Sequence, residues 1–96
     1  MYKVVKTDAL AKWIKAIKDP VATASIYKRI DRVADGNFGD HKSVGEGVSE
    51  LRIDVGKGYR VFYTIRNQDL VILLTGATKR DQQKNIKLAK KMAKEC

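Results

Sequence analysis

The segment that most restricts the fold runs from Gly45 to Ile65, GEGVSELRIDVGKGYRVFYTI. It divides into two alternating runs, Val48–Val55 and Tyr59–Ile65, around Gly56-Lys57-Gly58. Alternation at a period of two marks strands with one buried face. In the first run Leu51, Ile53 and Val55 share a side, opposite Glu50, Arg52 and Asp54. In the second, Tyr59, Val61, Tyr63 and Ile65 lie opposite Arg60, Phe62 and Thr64. A slip of one residue exchanges the faces, so the turn decides which pairing holds. A two-residue turn sets Ile53 with Arg60, and Arg52 with Val61 and Tyr63. A three-residue loop gathers Leu51, Ile53, Val61 and Tyr63 and puts Arg52 beside Arg60. Such a loop wants a left-handed residue at its last position, which Gly58 supplies without a Cβ penalty. The expected hairpin buries one face and carries Arg52, Arg60 and Phe62 on the other.

The flanking chain supplies what such a hairpin packs against. Tyr2–Lys6 reads as a short strand, and Thr7 or Asp8 can cap the helix that follows. In that helix Leu10, Trp13, Ile14 and Ile17 recur at helical spacing. Trp13 sits among apolar neighbours, which favours packing over base stacking. Asp19-Pro20 opens a second helix, with proline at the first position, where its missing N–H costs nothing. That helix runs to about Asp35, with Ile26, Ile30 and Val33 as its stripe and Tyr27 beside it. The short connection predicts a helical hairpin. Asn37–Glu46 is a loop by composition. After a turn at Asn67-Gln68-Asp69, the unbroken apolar run Leu70–Thr75 predicts a strand covered on both faces. Gly76-Ala77 then leads to a cap at Thr78 with Asp81 three residues on. The last helix, to about Lys94, has a thin apolar face of Ile86, Ala89 and Ala93. Lys84, Lys87, Lys91 and Lys94 form a cationic stripe on another face.

These elements predict an α+β fold in one small domain of 96 residues. Its order is β-α-α-β-β-β, an antiparallel meander with an N-terminal helical hairpin and a C-terminal helix. No apolar run reaches membrane-span length, and the first residues have no apolar signal core, so a cytoplasmic setting is expected. The single cysteine, Cys96, excludes an internal disulfide. Nine net positive charges point to a polyanionic partner, nucleic acid first and an acidic protein second.

No triad or metal-ligand spacing is present, and no metal or cofactor is expected. His41 is the only histidine, and a lone loop histidine is most often a solvated residue. What remains is a set of cations: Arg52 and Arg60 on the sheet, with Lys79 and Arg80 just past its central strand. Cleavage of RNA by its own 2′-hydroxyl builds negative charge on a phosphorane-like transition state, which placed arginines and lysines stabilise. A lysine among other cations also suits proton transfer, and Phe62 on the same face can stack a base. The plainer reading is a phosphate-binding patch, with Glu50 and Asp54 pairing to the arginines across the strands.

Three motifs carry a resemblance: GD-x-K-x-VG-x-GV-x-ELR (Gly39–Arg52), G-x-G-YRV (Gly56–Val61) and LL-x-G-x-x-K-x-x-Q (Leu73–Gln82). Together they resemble the RelE/ParE superfamily of type II toxins, in its phage-derived, HigB-like "addiction module killer protein" branch. The resemblance implies a RelE-like fold, cleavage of mRNA on the ribosome, and neutralisation by a small antitoxin with a helix-turn-helix. Carried over, the catalytic residues are Arg52, Arg60, Lys79 and Arg80. Lys42, Phe62, Lys84, Lys87, Lys91 and Lys94 would contact mRNA or ribosomal RNA, and His41 is a further candidate. Some relatives use a C-terminal tyrosine or histidine, where this chain has Ile86 and no histidine. Two other activities share the pattern: poisoning of DNA gyrase, which some superfamily members perform, and non-enzymatic RNA binding.

Overall fold

A computed structural model describes the chain from Met1 to Cys96. The elements are β1 (Lys3–Lys6), α1 (Asp8–Ala16), α2 (Pro20–Ala34), β2 (His41–Gly45), β3 (Val48–Ile53), β4 (Tyr59–Arg66), β5 (Leu70–Thr78) and α3 (Gln82–Glu95). A 3₁₀ turn, Lys79–Asp81, joins β5 to α3. The five strands form one sheet in the order β1-β5-β4-β3-β2. β1 runs parallel to β5, and every other pairing is antiparallel. The fold is therefore α+β with a mixed sheet, in three layers.

The hairpin faces are the ones that the glycines select, but the register is shifted by two residues from that of a three-residue loop, which would have paired Val55 with Tyr59. Leu51 pairs with Val61, Arg52 with Arg60 and Ile53 with Tyr59. Gly58 has φ +74° and Gly56 φ +52°, both left-handed. The first strand stops at Ile53, two residues short of the expected end, so the connection spans Asp54–Gly58. Leu51, Ile53, Tyr59, Val61 and Tyr63 join Leu10, Ile14, Ala22, Ile26, Ile30 and Val33 in the larger core, under α1 and α2. Thr7 caps α1 by accepting from the Leu10 amide at 3.1 Å. Asp19 caps α2 through the Val21 and Ala22 amides.

Three expectations are corrected. The segment expected as a loop, Asn37–Glu46, contains β2, whose only neighbour is β3. An edge strand pairs through its backbone and needs no apolar alternation, so HKSVG can take part. The strand begun at Leu70 does not stop at Thr75; Gly76 and Ala77 continue it to Thr78. Gly76 lies inside the strand because the Trp13 ring occupies the space where a Cβ would stand. The third concerns Phe62. The hairpin's second face is covered by α3, and Val48, Phe62, Leu74, Ala77, Ala89 and Ala93 form a second core there. Phe62 is fully buried, and its ring packs under the helix instead of standing free for a base. Ala89 and Ala93 are small enough to let α3 lie close against it.

Candidate functional site

The cations expected to carry chemistry converge where β3 and β5 end and β4 begins. Arg52 pairs with Arg60, and Arg60 with Ala77, giving one row across three strands. Lys79 and Arg80 follow two and three residues beyond Ala77. The Lys79 amide donates to the Gly58 carbonyl at 3.0 Å, and its aliphatic stem lies across Gly58, where a Cβ would come within 2.8 Å of it. The turn glycine thus lets the end of β5 close onto the β3–β4 loop. Thr78 then starts the 3₁₀ turn, its amide donating to Asp81 Oδ1 at 2.8 Å.

The two arginines have different surroundings. The Arg52 side chain is about one-third exposed, and its Nη2 lies 3.0 Å from Asp40 Oδ1. Asp40 is held in turn: its carbonyl accepts from the Arg52 amide at 2.9 Å. Arg29 of α2 fastens the same segment, donating to the carbonyls of Arg52, Phe38 and Asp40. Partial burial pushes the Arg29 pKa down, against the attraction of Asp40. Gly39 has φ +60°, and a Cβ there would stand 3.0 Å from Arg29 Nη2.

Arg60 is buried. It lies between Glu50, with Nε to Oε2 at 3.8 Å, and Asp54, with Nη1 to Oδ1 at 3.5 Å. Its Nη1 also donates to the Tyr59 carbonyl at 3.1 Å, while Nε has no hydrogen-bond partner. Glu50, also buried, accepts from Gln82 Nε2 of α3 at 2.8 Å. The ion pairing of Arg60 to Glu50 and Asp54 is the one that the alternation allowed. Arg60, Glu50 and Gln82 thereby join the sheet to the first turn of α3.

The exposed cations are less encumbered. Lys42, Lys57, Lys79, Arg80, Lys84, Lys87 and Lys91 have no carboxylate within ion-pair distance. Lys94 departs from the rest of its stripe: with Lys90 it pairs to Glu46, at 3.1 and 3.5 Å. The Lys94 hydrogen bond and charge hold the Glu46 carboxyl below its ordinary pKa. Lys42 stands opposite Glu50 and so on the α3 side. His41 stands opposite Leu51, on the other side; its Nδ1 is 2.8 Å from the Gly39 carbonyl and its ring 5.7 Å from Phe38. His41 is therefore separated from the arginine row by the sheet.

Sequence reasoning missed Arg29, Asp40 and Gln82. Arg29 had a signal, since it falls three residues after Ile26 and four before Val33, on the margin of the buried stripe. Asp40 and Gln82 stand in the first and third motifs, but their roles were hidden because their partners are distant in the chain.

A small three-layer α+β domain whose sheet ends in a cation-rich margin is the class that these observations define. Residues 12–95 match the family "Phage derived protein Gp49-like (DUF891)", and the chain belongs to this phage-derived family. An uncharacterised protein of Haemophilus influenzae is 52% identical over 83 residues, covering 86% of this chain and 84% of that protein. No helix is long and apolar enough to cross a membrane.

Proposed function

We propose that the protein is the toxin of a type II toxin–antitoxin pair and cleaves mRNA on the ribosome. The observation that carries this reading is the run of exposed cations without acidic partners, from Lys79 and Arg80 along Lys84, Lys87 and Lys91. The helical three are spaced i, i+3 and i+7, so they share one face. A phosphate backbone neutralised by such a face releases counterions, which makes binding salt-sensitive. Membership of a phage-derived family and the resemblance of its motifs to mRNA-cleaving toxins support the same reading.

In this mechanism the scissile phosphate sits at the end of β5. The 2′-oxygen loses its proton and bonds to phosphorus, while the bond to the 5′-oxygen breaks and that oxygen takes up a proton. Lys79, Arg80 and Arg52 are the accessible cations that stabilise the added charge. Lys79 also serves the proton transfers, with Arg80 as a fixed charge beside it. Arg60 acts from within the fold, placing its strand and adding to the local field. The stripe on α3 holds ribosomal RNA, and an acidic antitoxin covers the cationic margin.

The test is brief induction in bacterial cells, with mRNA 5′ ends mapped for the wild type and for Lys79→Ala/Arg80→Ala. Both positions are exposed, so the fold persists in the variant. New ends in phase with codons, absent in the variant, are the expected result. Growth arrest with intact messages would overturn the nuclease reading in favour of a gyrase poison. RNA binding without new ends would leave a non-catalytic RNA-binding module.

A further inference from the structure

The cationic margin adjoins a cleft that the proposed chemistry does not use. It opens on the α1 side of the sheet end, where the C-terminus of α1, the α1–α2 connection, the β3–β4 loop and the end of β5 meet. Its volume is about 710 Å³, and Trp13, Ile17, Lys18, Lys57, Tyr59 and Thr78 are among its lining residues. That volume lies in the range of small-molecule sites, roughly 300–1,000 Å³. The Trp13 and Tyr59 rings stand 6.1 Å apart at 69°. Tyr59 is buried, while Trp13 is half-buried, resting on Gly76 and facing the cleft with what remains.

The charges around this aromatic surface are uneven. Lys18 and Lys57 are exposed and lack carboxylate partners. Lys79 lies next to the cleft, directly after Thr78 and across Gly58. The one carboxylate in the lining, Asp19, has Oδ1 occupied as the cap of α2. An aromatic surface flanked by free lysines is the pairing that holds single-stranded nucleic acid, one part for the base and the other for the backbone. An acidic peptide would use the lysines but give no reason for the half-buried indole at the cleft wall.

We infer that this cleft is a nucleotide subsite for single-stranded RNA, with a base against Trp13 and the neighbouring phosphates on Lys57 and Lys18. The inference rests on the RNA-cleaving reading, and it names where the strand goes after it leaves Lys79. The strand rounds the end of the sheet, from the α3 side past Gly58 into the cleft. The site selects for an unpaired base, because a base held in a duplex has no free face to offer an indole.

Trp13 is the only tryptophan, so its emission reports on the site without any mutation. A short unlabelled oligouridylate is titrated into the wild-type protein while Trp13 emission is followed. A fluorescein-labelled copy gives affinity by anisotropy across a range of salt. Saturable quenching that tracks the anisotropy is expected. Lys57→Gln is expected to flatten the slope of log K against log salt by about 0.7, one single-strand phosphate. Lys28→Gln, an exposed lysine of α2 outside the cleft, should leave quenching unchanged. RNA binding with silent Trp13 emission would overturn the inference, as would equal effects of Lys57→Gln and Lys28→Gln, or no binding at all. Messages cleaved in cells while Trp13 stays silent would remove the subsite and keep the nuclease. Quenching without cleavage would keep the subsite and remove the nuclease.

Discussion

Replacing Glu50 by methionine tests whether Arg60 belongs first to the fold. The Glu50 side chain is 3% exposed and that of Arg60 8%, so both charges are almost fully removed from water. Deleting one member of such a pair leaves the other buried without compensation, at a cost of about 3–5 kcal/mol. Arg60 keeps Asp54, but that side chain is 61% exposed and its attraction is weakened by solvent. The lower end, about 3 kcal/mol, is therefore expected for Glu50→Met. That is a large share of the roughly 5–15 kcal/mol typical of a domain. Arg60→Met should cost a similar amount. The double variant Glu50→Met/Arg60→Met should lie within about 1 kcal/mol of the wild type, since two apolar chains of similar length replace a costly pair. Urea unfolding at pH 7, followed by Trp13 emission, measures all four corners of the cycle. A slope of roughly 1–3 kcal/mol per M converts the single losses into midpoint shifts of about 1–3 M. Additive losses in the double variant, or a Glu50→Met loss under about 1 kcal/mol, would refute the argument. The result also governs how an inactive Arg60 variant is interpreted, because lost folding and lost chemistry look alike in cells. Lys79, Arg80 and Arg52 are the sites at which chemistry can be probed directly.

Gly39→Ala is expected to destabilise by about 1–2 kcal/mol, because Gly39 has φ +60° and Arg29 fills the space beside it; chemical denaturation measures the loss. Gln68→Gly should stabilise by about 1 kcal/mol, since Gln68 has φ +70° in the β4–β5 turn and glycine removes the Cβ penalty; thermal unfolding checks it. Glu46 has its folded pKa lowered by Lys94 and Lys90. Its contribution is thus present above the unfolded carboxyl value, about 4.3, and is lost as pH falls through the depressed folded value. Glu46→Gln should be less stable than wild type at neutral pH, with the gap closing in acid and shrinking in high salt. Tyr63 has its pKa raised, chiefly by burial. Stability should fall as pH rises from about 10 through that raised value, and Tyr63→Phe should remove this component of an alkaline titration.

The hairpin's faces were legible because two local rules agreed: alternation grouped the side chains, and Gly58 favoured an odd-length connection over a two-residue turn. The length of that connection was not legible. The caps at Thr7, Asp19 and Thr78 were legible for the same reason, since each is satisfied within a few residues. What escaped was set by distant contacts. β2 consists of mainly polar, exposed residues and exists because β3 offers it a backbone edge. Phe62 stands on the face that carries Arg52, and only α3, arriving from the far end of the chain, turns that face into a core. Gly76 resembled punctuation but is a seat for Trp13. At the candidate site the sequence identified the cations and their side of the sheet. It did not reveal that Arg60 is enclosed while Lys79 and Arg80 stand free, because enclosure depends on Glu50 and Gln82 meeting across 32 residues.

Ala89 and Ala93 are the buried helical residues of the seam under α3, and Ile86 and Met92 of the same helix pack half-buried against it. Methyls contribute little apolar area, so fastenings at the two ends of the helix add to what Ile86 and Met92 supply. Gln82 fastens the first turn to Glu50, and Arg66 reaches the Ala93 carbonyl near the last. Loss of both terminal fastenings would leave Phe62 and Leu74 covered by the apolar seam alone, while the layer beneath α1 and α2 keeps its own core. The lysines on its outer surface move only as the helix moves, so the spacing between the α3 cations and those at the end of β5 depends on these fastenings together with the ion pairs of Lys90 and Lys94 to Glu46.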